Sequence, residues 1–165
     1  MASWNDIAAA EPDLAAAVMA RFDAGLHKTL ATLRADGAPR ISGTELAVVE
    51  GDLWLGSMPG ALQARDLQRD PRFALHGATV DTELGPDGGD AKIAGRAIEI
   101  TDADEVVRII AASAGGEVRP EHAGSHLFRL DVDEVVLTRV AGDPPDHMVI
   151  DSWREGRGRR RVERR

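Results

Sequence analysis

The 165-residue chain contains no cysteine and no tyrosine. The first absence removes disulfides, thiolate catalysis and cysteine-ligated metals together. The second removes any phenol that would serve as a proton donor. Aromatic residues make up only 4% of the chain, as three phenylalanines and the tryptophans Trp4, Trp54 and Trp153. No apolar run approaches the ~20 residues needed to span a bilayer. The N-terminus also lacks a basic region followed by an apolar one. Internal repeats and low-complexity tracts are missing as well. These absences point to a soluble, cytoplasmic protein.

What is present fits one domain over residues 1–165. An apolar content of 43% and a charged fraction of 29% are ordinary for a globular chain of this size, which is long enough to bury a sizeable core. The net charge of −8 is unevenly spread. Residues 154–165 hold seven arginines against two glutamates, so the remainder carries −13. An acidic body repels nucleic acid phosphates, which argues against a nucleic-acid partner. The basic end reads either as a solvated tail or as part of a site.

Local signals divide the chain into helical N-terminal residues 1–25, a β-rich stretch 27–153 and the basic segment 154–165. Ser3 suits the cap of a first helix, and Pro12 suits the first turn of a second. Leu14, Val18 and Phe22 recur at helical spacing before Gly25. From His27 the period becomes two. Asp36-Gly37 predicts a hairpin into a strand over Pro39–Val49, and Glu50-Gly51-Asp52 turns the chain into Leu53–Ser57. A short helix is expected near 61–69, with strands at about 72–80 and 91–100 around a glycine-rich tip at Gly85–Gly89. Asp102 and Glu105 resemble a capping box. Val106, Val107, Ile110, Ala111 and Ala114 then predict the apolar stripe of a helix ended by Gly115-Gly116. Strands at about 126–141 and 146–153 follow. Many short strands with regular turns and few helices predict a mainly β antiparallel barrel.

Isolated chemistry is sparse. His122 and His126 are spaced as ligands on one helical face, but Pro120 and Gly124 argue against a helix there, so no metal site is assigned. His76 falls in a predicted strand, and Ser57 has no nucleophile-elbow context. Trp54 alternates with Leu53 and Leu55, so it faces either a core or a dimer interface.

The segment Leu53–Leu67, closing on Asp70-Pro71-Arg72-Phe73, reads as strand, Gly/Pro turn, helix and strand. The free N–H groups of a turn that opens a helix favour an anionic phosphate. Together with Leu30–Gly43 and Val149–Trp153, this segment resembles the pyridoxamine 5′-phosphate oxidase-like flavin-binding split barrels, and in particular their small, uncharacterised oxidase-like branch.

The resemblance implies a homodimer with its cofactor between subunits, acting on a small-molecule substrate. FMN is the expected cofactor, with the deazaflavin coenzyme F-420 as the alternative and haem behind both. The implied activity is a flavin-dependent oxidoreductase, with a non-catalytic flavin- or haem-binding protein as the other class. It further implies that Arg40, Ile41, Ser42 and Gly43 face the flavin ring. Ser57, Met58, Gln63 and Arg65 would hold the ribityl chain and phosphate. Trp153 and Arg161 would reach cofactor or substrate from the C-terminal signature. Ala61 and Gln63 stand where family members often carry a serine and a lysine. No residue is implied as an acid or base.

Overall fold

The computed structural model describes residues 2–77, 88–116 and 124–165. Helices α1 (Trp4–Ala10) and α2 (Pro12–Asp23) open the chain. Ser3 Oγ accepts the Asp6 N–H at 3.1 Å while the Asp6 carboxylate accepts the Ser3 N–H, a reciprocal cap. Leu14, Val18 and Phe22 turn one face of α2 into the core.

The strands are β1 (Lys28–Leu33), β2 (Pro39–Thr44), β3 (Ala47–Val49), β4 (Asp52–Ser57), β5 (Arg72–His76), β6 (Asp90–Glu99), β7 (His126–Gly142), β8 (Pro145–Arg154) and β9 (Gly158–Arg164). Helix α3 (Leu62–Arg69) separates β4 from β5, and α4 (Ala103–Ser113) separates β6 from β7. All strand pairs are antiparallel, in the order β2-β1-β5-β6-β7-β4-β3, with β8 and β9 continuing from β7.

The path begins with β2 and ends with β3, yet only Glu45 and Leu46 join them. Two residues reach roughly 7–10 Å at most. The sheet therefore rolls until its ends meet. Here the structure departs from the single strand expected over Pro39–Val49. Its two halves pair with β1 and β4 respectively, and the break at Glu45-Leu46 is the seam of the roll.

Strand β7 is the spine. One edge pairs with β6, while the other pairs first with β4 and then with β8. Its register with β6 shifts at Gly95, where a Cβ would come within 2.0 Å of the Asp131 carbonyl oxygen. Only glycine fits that bulge.

The basic C-terminal segment is not a solvated tail, because residues 158–164 form β9 on the edge of β8. The carboxylate of Asp151, 1% exposed, holds it there. Arg161 donates to it through Nε at 2.9 Å and Nη2 at 3.0 Å, Arg159 through Nε at 3.3 Å, and Arg139 at 3.4 Å. Arg159 also reaches Asp13 of α2 at 2.8 Å. Burial pushes the Asp151 carboxyl upward, but the hydrogen bonds and charges of Arg161 and Arg159 outweigh it and hold the group below its usual range.

Helix α4 buries a face rotated from the expected stripe, keeping Val106 and Ile110 partly covered but adding Ile109 and leaving out Val107. Ile109 is fully buried with Val49, Trp54 and Leu127, and Val106 packs beside them, whereas Val107 is half exposed. The helix stops in a Schellman turn, with the Gly116 N–H bonded to the Ala111 carbonyl. Trp4 and Trp153 belong to the larger core and Trp54 to this smaller one. The expected end of the 72–80 strand, most of the 85–89 tip and His122 lie outside the described residues. Among the described residues, no helix is long and apolar enough to cross a membrane.

Candidate functional site

A cleft of about 660 Å³ opens at the seam of the roll. The end of β2, the Glu45-Leu46 link, the end of β4, the first turn of α3 and the end of α4 converge there. Of the residues anticipated from sequence, Gly43, Ser57, Met58 and Gln63 line it. The Ser57 hydroxyl is buried and has no hydrogen-bond partner among the described residues. A buried hydroxyl without a partner is costly, so this one is suited to a ligand or an ordered water.

The β4–α3 turn is built by Met58-Pro59-Gly60. Gly60 has φ +72°, a conformation that strains a side chain, and the Ala61 N–H closes the turn on the Met58 carbonyl at 3.1 Å. Ala61, at the N-cap of α3, provides no side-chain hydrogen bond. The N–H groups of Leu62, Gln63 and Ala64 have no intrahelical acceptor and face outward from the helix start. Arg65 is exposed, and its Nη2 lies 3.5 Å from where a Cβ on Gly60 would stand. The cleft wall itself contains no arginine or lysine, and its ionisable members are His27 and Glu45.

Alternation along β2 divides the expected ring-facing set. Arg40 and Ser42 turn to the better-covered side of the strand, while Ile41 and Gly43 turn to the exposed one. Arg40 is bound through Nε to Asp66 at 2.6 Å. Asp66, 3% exposed, also accepts from Thr32 Oγ1 and Arg69 Nη2, each at 3.0 Å. Burial raises its pKa, yet the hydrogen bonds from Arg40, Arg69 and Thr32 bring it below the ordinary value. That carboxylate fastens α3 to β1 and β2 and so fixes where the helix starts. Trp153 and Arg161 are not on the cleft wall. Trp153 is core, and Arg161 serves Asp151.

Three parts of the site were not anticipated as such from the sequence. Ala112 and Ser113, from the last turn of α4, complete the wall. Trp54 borders the cleft while anchoring the smaller core. Behind the turn, the Gly60 N–H donates to His126 Nε2 at 3.3 Å. His126 Nδ1 meets Glu99 Oε1 at 2.9 Å, and Gln68 Nε2 donates to both Glu99 oxygens at 2.9 and 3.1 Å.

An antiparallel sheet rolled to a seam, with a helix start and a cleft at that seam, defines a split-barrel protein. The chain belongs to the pyridoxamine 5′-phosphate oxidase family, whose model matches residues 20–139. Among solved structures, it is similar to a pyridoxamine 5′-phosphate oxidase-related, FMN-binding protein from Nostoc punctiforme. That match has a TM-score of 0.63 at 13% identity, over 94% of this chain and 96% of that one. PhzG from Burkholderia lata, solved with tetrahydrophenazine-1-carboxylic acid, gives 0.61 at 16% identity over 98% and 93%. A conserved hypothetical protein from Mycobacterium tuberculosis gives 0.55 at 22% identity over 69% and 78%. At these identities the likeness is one of fold. No curated protein sequence matches the chain.

Proposed function

We propose that this protein is a flavin-dependent oxidoreductase that holds FMN in the seam cleft of a homodimer. The observation that carries the reading is the pairing of an orphan Ser57 hydroxyl with an uncapped helix start on one cleft. The free N–H groups of α3, with Arg65 beside the turn, suit an anionic phosphate. Ser57 and Gln63 suit the polar chain between phosphate and ring, and Gly43 lets the ring approach the β2 backbone. A bound flavin would supply the hydride chemistry, and the chain's own residues would bind it, orient it and exclude water. This fits a wall that offers His27 and Glu45 as its ionisable groups. Apolar side chains stand in the open on the cleft wall, Leu26 (66% exposed) and Met58 (78%), and on the elements that form it, Ile41 of β2 (74%) and Leu62 of α3 (55%). A second copy covering them would complete the site.

Fluorescence titration with FMN, and separately with the deazaflavin coenzyme F-420, tests the reading. FMN binding at ~1 µM or tighter supports it. Preference for the deazaflavin keeps the reaction class and changes the cofactor. Binding of neither removes the oxidoreductase reading.

A further inference from the structure

We infer that His126 is a proton-controlled latch on the β4–α3 turn, and that its protonation brings a positive charge to a phosphate site whose cleft wall has no arginine or lysine of its own. The inference rests on the cofactor reading above. Because the Gly60 N–H donates to Nε2, that nitrogen must present its lone pair. The ring proton then sits on Nδ1 and is donated to Glu99, whose carboxylate Gln68 holds in place. This neutral tautomer satisfies Gly60 and Glu99, while Gln68 Nε2, 3.4 Å from Nδ1, spends its hydrogens on the Glu99 oxygens.

Protonation places a hydrogen on Nε2, facing the hydrogen of the Gly60 amide. Two donors cannot share that bond. The Gly60 N–H is released, and His126 offers a charged N–H to the same space. Both new donors suit the oxygens of a phosphate ester. The groups facing the imidazole are few. Glu99 comes from β6, Gln68 from α3, Gly60 from the turn, and the Phe128 ring stacks at 6.4 Å from within β7. Arg65 of α3 stands across Gly60. Among the described residues, no other ionisable group hydrogen-bonds to it.

The test compares FMN with riboflavin, which lacks the phosphate, in the wild type and in His126→Gln. The glutamine amide oxygen keeps an acceptor for Gly60 and never carries charge. Between pH 8 and pH 6 the wild-type preference for FMN over riboflavin rises by about tenfold relative to the variant. The variant corrects for the phosphate's own titration near pH 6, which acts in the opposite direction. Parallel curves for the two proteins overturn the inference. A second measurement needs neither variant nor cofactor. In the wild type, the Gly60 amide NMR resonance shifts with the same midpoint as the His126 imidazole. A Gly60 amide indifferent to that titration overturns the latch. A coupled titration without flavin binding at any pH supports the latch and overturns the cofactor reading instead.

Discussion

Asp66 shows how a single buried carboxylate sets the geometry of a binding site. It gathers a hydroxyl from β1, a guanidinium from β2 and another from its own helix, so three elements share one anchor. Asp66→Asn keeps the shape and removes the charge, leaving Arg40 and Arg69 facing a neutral amide. The expected cost is about 3 kcal/mol at pH 7, measured by urea denaturation. The pH dependence has a definite sign. The folded pKa lies below the unfolded value, so the stabilisation is complete above the ordinary carboxylate range near pH 4. It is lost as pH falls through the lower, folded value, and the gap between wild type and variant narrows on acidification. A gap independent of pH would show that the charge contributes nothing. The residue identities here were visible in the sequence, but their meeting was not. Nothing in the local pattern around Arg40 announces that Asp66, on the other side of a turn and two strands, holds its Nε.

At the scale of elements, local patterns identified what local forces build. The Ser3 cap of α1, the Pro-initiated α2, the Gly/Pro turn before α3 and the hairpin at Asp36-Gly37 carry their signals within a few residues. Strand β9 carries none, since Gly-Arg-Arg-Arg-Val-Glu-Arg lacks apolar alternation. It is a strand because β8 offers an edge and Asp151 offers a buried charge, both of them non-local. The face of α4 was misjudged for a related reason. Periodicity finds a stripe that includes Val106, Val107 and Ile110, but contact with Val49, Trp54 and Leu127 buries Ile109 and leaves Val107 outside. Ile109→Ala should therefore cost about 3 kcal/mol, read from chemical denaturation. Because Trp54 belongs to both this cluster and the cleft wall, the same variant should also weaken ligand binding. An unchanged midpoint would mean that α4 is not held by this cluster. The Ser57–Gln63 part of the site was legible as a strand–turn–helix unit. The end of α4 was not, because only the rolled sheet brings it there.

At the scale of the whole molecule, the exposed apolar side chains around the seam bear on assembly. Sedimentation should give twice the 17.6 kDa chain mass. Met58→Glu, at a side chain 78% exposed in the single chain, should shift the protein toward monomer and weaken flavin binding together. A monomeric wild type that binds flavin normally would separate the site from assembly. The spine strand has a further consequence, for the order in which the chain is made. β7 begins after roughly three-quarters of the sequence, yet β4 and β6 each depend on it for one edge. During synthesis both wait with bare backbone until residues 126–142 leave the ribosome. Over that interval the nascent chain carries two open strand edges, where a stalled or truncated product would recruit other chains instead of its own.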